Sequence, residues 1–164
     1  MIATTNPLLG LTAADLMSRD VVILPRRMSL RNAAHLLSES DVSGAPVVDE
    51  TGECVGVVST TDFMRWVGYG ERGVSTRAHF NPGCFHSAWQ VADVDTLPAD
   101  EVGSYMTADP VMVRPTTSIA EIARKMVDAH IHRIIVVDAM NRPIGVVSST
   151  DVLAAVASTD RDRR

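Results

Sequence analysis

Cysteine is nearly missing from this chain of 164 residues. Its two cysteines, Cys54 and Cys84, are too few for a disulfide framework, so a reducing cytoplasm is the expected setting and the fold must rest on a packed core. Aromatic residues are scarce too, at 4%. Val, Ile, Leu, Ala and Met therefore have to fill that core, and the eight Met residues scattered through both halves suit gap-filling. Positive charge is not in excess. A formal net charge of −5 gives no electrostatic footprint for a nucleic-acid backbone, and the arginines of the last four residues alternate with acid in a short solvated tail. No apolar run approaches the roughly 18 residues of a membrane-spanning helix, so no membrane insertion is expected. No basic stretch followed by an apolar one marks a secretory signal. A Walker-type phosphate loop, a nucleophile elbow and a metal-ligand helix motif are all missing, so catalysis is not expected.

What the sequence does contain is itself, twice. At an offset of 89 residues, Met17 falls on Met106 and the register holds without a gap as far as Val67 on Val156. About 15 of the roughly 51 pairs are identical, against about three expected from ordinary residue frequencies. The identities cluster. Val47-Val48-Asp49 matches Val136-Val137-Asp138, Gly56-Val57-Val58-Ser59 matches Gly145-Val146-Val147-Ser148, and Thr61-Asp62 matches Thr150-Asp151.

Periodicity assigns each copy a secondary structure. Residues 21–24 and 111–113 are short β-branched runs that predict a first strand. Ser118 to Glu121 has the spacing of a capping box, and Ile119, Ile122, Ala123, Met126 and Val127 follow at helical spacing as one apolar face. Leu30, Ala33, Ala34 and Leu37 do the same after Ser29. Two apolar runs separated by a polar turn then predict a hairpin (residues 45–48 and 55–58, or 134–137 and 144–147), and a last helix begins near Ser59 or Ser148. The expected fold is α/β, two pseudo-symmetric β-α-β-β-α repeats. A unit of about 50 residues buries too little surface to stand comfortably alone, so the copies should pack as one module. The divisions are residues 11–67 for the first repeat, 68–100 for an insert and 101–158 for the second repeat.

In this order and duplicated, the motifs resemble the cystathionine-β-synthase (CBS) domain. They are the Met-Ser/Thr lead-in (Met17-Ser18, Met106-Thr107), the Val-Val-Asp run closing 46–49 and 135–138, and Gly-Val-Val-Ser-x-Thr-Asp at 56–62 and 145–151. The tandem looks like a CBS pair, or Bateman module. That resemblance implies two pseudo-symmetric clefts that hold adenosine-containing ligands, a homodimer, and regulation of a partner protein that the sequence does not identify. The expected ligand is an adenine nucleotide (AMP, ADP or ATP), with NAD or S-adenosylmethionine as variants.

Asp62 and Asp151 stand three residues after Ser59 and Ser148, the spacing of a capping box. A carboxylate there can also accept hydrogen bonds from ribose hydroxyls. The same turn offers helix-end N–H groups and the hydroxyls of Thr61 or Thr150 to an anion. His132-Arg133, just before the second hairpin, is similar to the His-Arg segment of the nucleotide-sensing repeats of AMP-activated protein kinase gamma subunits. A guanidinium gives bidentate, charge-assisted bonds to phosphate, so the second copy should prefer a phosphorylated ligand. The first copy has Ser43-Gly44 in that place and no cation. Gly44 would admit a ligand close to the backbone, and the site should be empty or accept a less charged adenosyl group. Adenine contacts are expected from Val22, Ala45 and Val58, and from Val111, Ile134 and Val147, all of which ordinary core packing would also explain.

The insert is rich in Gly and Pro, yet it carries Tyr69, Phe80, Phe85 and Trp89. It therefore reads either as a strap packed on the module or as a partner-binding or dimer-forming arm. The alternative to a sensor is a scaffold with vestigial clefts that dimerises and binds a partner through the insert. His79, Cys84 and His86 lie close together, but with no obvious fourth ligand a metal site is not expected.

Overall fold

The computed structural model describes residues 7–60, 62, 97 and 99–161. Along the chain its principal elements are α1 (Ala13–Leu16), β1 (Leu24–Pro25), α2 (Leu30–Glu39), β2 (Gly44–Val48) and β3 (Cys54–Ser59). They continue with β4 (Thr107–Ala108), β5 (Met112–Val113), α3 (Ile119–Asp128), β6 (Arg133–Val137), β7 (Pro143–Ser148) and α4 (Ser149–Arg161). Two compact units contain them. One comprises Met1–Val21, Gly52–Cys54 and Pro110–Arg164, the other Val22–Thr51 and Val55–Asp109. Neither coincides with a repeat, because each takes in the lead-in that precedes the other copy.

In the unit of the first repeat the sheet order is β1-β2-β3-β4. β1 runs parallel to β2 with Leu24 opposite Val47, and β4 runs antiparallel to β3 with Thr107 opposite Val57. Helix α2 starts on Ser29, whose Oγ accepts from Asn32 N at 3.2 Å. Its apolar stripe, Leu30, Ala33, Ala34 and Leu37, is fully buried with Leu24, Val47 and Val58. Each buried Leu contributes about 1.5–3 kcal/mol. Leu97, at the end of the insert, joins the same core at 2% exposure. Its carbonyl accepts from Arg31 Nη2 at 3.0 Å, so the insert is packed down at that point. The rest of the insert, with His79, Cys84, His86 and its four aromatics, lies outside the described residues, as does most of the helix expected after Ser59.

In the unit of the second repeat the order is β5-β6-β7, parallel then antiparallel. Ile122, Met126, Ile134, Val136 and Val147 form its core together with Ala13 from α1.

The lead-ins explain two of the motifs shared by the repeats at once. Ser18 pairs with Val146 through N–H···O bonds of 3.0 Å in both directions, as Thr107 pairs with Val57 in the other unit. The residue before each, Met17 or Met106, then lies on a glycine. A Cβ on Gly56 would come within 2.5 Å of Met106 Sδ, and one on Gly145 would collide with Met17. The Met of one motif therefore requires the Gly of the other. Each lead-in also covers a helix start: Ile119 N donates to Leu11 O at 2.9 Å and Leu30 N to Asp100 O at 2.8 Å, satisfying N–H groups that a helix cannot bond internally.

Three local expectations need correcting. The first strand predicted over 21–24 is confined to Leu24–Pro25. With Leu24 opposite Val47 and Arg26 N donating to Val48 O, the next rung toward Val22 would need an N–H from residue 46, and Pro46 has none. At α3, Ser118 Oγ accepts from Glu121 N at 3.3 Å, but Glu121 faces Lys125 at 3.8 Å in an exposed ion pair. Among the described residues that box is only half made. Val127 is 70% exposed. At 100° per residue it sits well to one side of the Ile119–Ile122–Met126 stripe, beyond the edge of the buried face.

Candidate functional site

Both serine–aspartate turns are present and hydrogen-bonded. At the end of β7, Asp151 Oδ2 accepts from Ser148 N at 2.7 Å and from Ser148 Oγ at 2.6 Å, while Asp151 N donates back to Ser148 Oγ at 3.2 Å. At the end of β3, Asp62 Oδ2 accepts from Ser59 N and Ser59 Oγ, each at 2.8 Å. The cap is reciprocal at Ser148 and Asp151, its carboxylate half is present at Ser59 and Asp62, and each uses one carboxylate oxygen of its Asp. Among the described residues, Asp151 Oδ1 accepts nothing. It can receive a ligand hydroxyl without disturbing the cap.

The strand-to-helix turn is held to the start of the hairpin in the same way twice. Ser149 N donates to His132 O at 2.8 Å, and Thr60 N to Ser43 O at 2.9 Å. In the second repeat the ladder places Arg133 directly opposite Ser148. His132, Arg133, Ser148, Thr150 and Asp151, separated in sequence, therefore converge on one end of one sheet. His132, Arg133 and Thr150 are exposed, and Ser148 and Asp151 half-buried. A guanidinium, the Thr150 hydroxyl, the Thr150 N–H in the first turn of a 13-residue helix and a carboxylate oxygen that accepts nothing among the described residues are gathered at that end. The first three groups suit an anion and the last suits a hydrogen-bond donor.

The equivalent place in the first repeat is built differently. A Cβ on Gly44 would lie 2.7 Å from the carbonyl oxygen of Val58 and 3.1 Å from Ser59 Cα. Glycine there lets β2 and β3 close on each other, so the strand pair already accounts for it. Thr61 lies outside the described residues. Thr107, 45 residues from Asp62 in sequence, donates from Oγ1 to Asp62 Oδ1 at 3.3 Å. Sequence reasoning does not place Thr107 at this turn, because the pairing of β4 with β3 is a tertiary event with no local signal.

Of the six apolar positions, Val22 and Val111 are half-buried. Ala45, Val58, Ile134 and Val147 are exposed by 2% or less and belong to the two cores. Any contact these four make with a ligand would run through their backbone groups.

At the far end of the second hairpin, Asp138 Oδ1 accepts from Met140 N at 2.8 Å and Arg142 N at 2.9 Å. The Arg142 bond leads the causes that hold its carboxyl below the ordinary value. Asn141 there has φ of 56°. Its Nδ2 donates to Glu53 Oε1 at 2.9 Å, and its Oδ1 accepts from Arg114 Nη2 at 2.8 Å. Arg114 is thereby engaged with its own hairpin. Among the described residues no cluster of His, Cys, Asp and Glu could hold a metal, and no helix is long and apolar enough to cross a membrane.

Comparison with known proteins agrees with this architecture. The model of the CBS domain matches residues 13–69 and 102–158. The chloroplastic CBS domain-containing protein CBSX2 of Arabidopsis thaliana is 28% identical over 93% of this chain, which spans 66% of that relative. The crystal structure of CBSX2 in complex with AMP aligns at a TM-score of 0.69 and 25% identity, covering 92% of this chain and 99% of the other. The CBS domain pair of protein MJ0100, in complex with 5-methylthioadenosine and S-adenosyl-L-methionine, aligns at 0.68 over 90% and 97% of the two chains. At 19% identity that likeness is one of fold.

Proposed function

Since the chain belongs to the CBS domain family and carries two copies in tandem, we propose that it is a regulatory module that binds an adenine nucleotide (AMP, ADP or ATP) and passes its bound state to a partner protein in the cytoplasm. The observation that carries this reading is the second repeat's turn, where Arg133 lies opposite Ser148 and Asp151 Oδ1 accepts nothing among the described residues. Arg133 and the helix start take the phosphate, with His132 adding a donor, and Asp151 takes the ribose. That CBSX2 has been crystallised with AMP supports the ligand class. The first repeat has glycine where the second has Arg133, which favours a less charged adenosyl compound such as S-adenosylmethionine at the Asp62 turn. NAD, which also carries an adenosine phosphate, is a variant at the Asp151 turn. The module has no catalytic role.

Calorimetric titration of nucleotide-free protein with AMP, ATP, NAD and S-adenosylmethionine tests this. AMP or ATP should bind saturably. Arg133→Ala should weaken the nucleotide by about tenfold or more, as expected for loss of a charge-assisted contact, while weakening adenosine much less. Asp151→Asn, which can keep the cap, should weaken both. Failure of all four ligands to bind would reject the sensor and leave a scaffold acting through the insert. Turnover of a bound nucleotide would reject the non-catalytic role.

A further inference from the structure

The two turns are chemically unequal at the carboxylate itself. Both Asp residues commit Oδ2 to their own serine. At Asp62 the other oxygen accepts from Thr107 Oγ1; at Asp151 the other oxygen accepts nothing among the described residues. The repeat equivalent of Thr107 is Ser18, which makes the same backbone pairing, with Val146. Its hydroxyl forms no bond to Asp151 among the described residues, so the difference lies in the side chains and not in the strand exchange.

We propose that Thr107 is a specificity-determining residue of the first repeat: its hydroxyl competes for the oxygen of Asp62 that a ribose hydroxyl would use, so a ribose-bearing ligand fills the Asp151 turn first and the Asp62 turn more weakly. This rests on the reading of both Asp residues as ribose acceptors. The bond is long for an O–H···O pair at 3.3 Å, and its donor Thr107 is exposed while Asp62 is half-buried. It is therefore a handicap and not a block. Losing it should tighten the Asp62 turn by about two- to tenfold, the range of a single ordinary hydrogen bond.

The test isolates the turn in an Asp151→Asn background and titrates the full chain with AMP. Thr107→Val, which keeps the shape and removes the donor, should tighten the remaining binding two- to tenfold, and Thr107→Ser should restore the weaker value. The gain should vanish for 2′,3′-dideoxy-AMP, which has no ribose hydroxyl to donate; a merely structural effect of the substitution would persist with it. AMP binding that is unchanged or weakened by Thr107→Val, or a gain that survives with the dideoxy ligand, overturns the proposal while the ribose reading stands. AMP binding to the parent protein that neither Asp151→Asn nor Asp62→Asn weakens overturns the ribose reading and this proposal together.

Discussion

His130 has φ of 53°, a left-handed conformation in which a Cβ is crowded. It follows Ala129, the C-cap of α3, in a Schellman arrangement: His130 N donates to Val127 O at 3.2 Å and Ile131 N to Met126 O at 3.0 Å. Asp41, with φ of 52°, repeats the pattern after α2. Both copies thus stop their first helix with a non-glycine residue where glycine is usual, and this stop aims the chain into β2 or β6. His130→Gly should raise stability by about 0.5–1 kcal/mol, the relief of left-handed strain offset in part by the greater freedom of the unfolded chain. Urea denaturation checks it, and a loss of stability would mean that the His130 side chain makes contacts outweighing the strain. Neither stop is legible beforehand, since no glycine marks it. The caps at Ser29 and Ser118 are legible, because a serine before an apolar periodic run has few other uses.

The lead-ins are short elements, with α1 only four residues long, and they cannot hold their shape alone. α1 is pinned by Asp15, whose carboxylate accepts from Thr12 Oγ1 at 2.7 Å and Thr12 N at 2.8 Å. These bonds, the side-chain one first, hold its carboxyl below the ordinary 3.8. What fixes the lead-in to its sheet is the Met-on-Gly contact. Gly145→Ala and Met17→Ala should each destabilise by about 1–3 kcal/mol, one by overpacking and the other by lost burial. Once Met17 is truncated, the added methyl at Gly145 has room, so the double substitution should cost clearly less than the sum. Additive losses would refute the pairing. Periodicity makes the helix, the hairpin and the turn of each repeat legible. It misses the half-made box at Ser118 and the shortened β1. Those depend on where Glu121 finds a partner and on which residue of β2 faces Val22.

Across the whole molecule, among the described residues, the exposed large apolar side chains are Ile23 before β1, Met140 in the turn of the second hairpin and three on helices of the second repeat. Val127 on α3 is 70% exposed, and Leu153 and Val156 on α4 are 66% and 49% exposed. Leu153 and Val156 are three residues apart and share a helix face. We propose that the homodimer expected from the family resemblance buries Leu153 and Val156. Sedimentation should find a dimer. Leu153→Asp combined with Val156→Asp should loosen it by about a hundredfold or more, given the burial energy of a Leu counted once per protomer. A monomeric parent protein would refute the arrangement.

The repeat, the order of its elements and the carboxylate, hydroxyl and guanidinium groups of the candidate turns were determined by the sequence alone. Hydrophobic period and capping chemistry act over a few residues, and a duplication displays them twice. Only the tertiary structure decided that each lead-in completes the sheet of the other repeat and that Gly44 serves strand closure. The same holds for the engagement of Asp62 by Thr107 and for the second oxygen of Asp151, which accepts nothing among the described residues. Those outcomes turn on which distant segments pair and in what register, and strand pairing between residues dozens of positions apart leaves no local pattern in the chain.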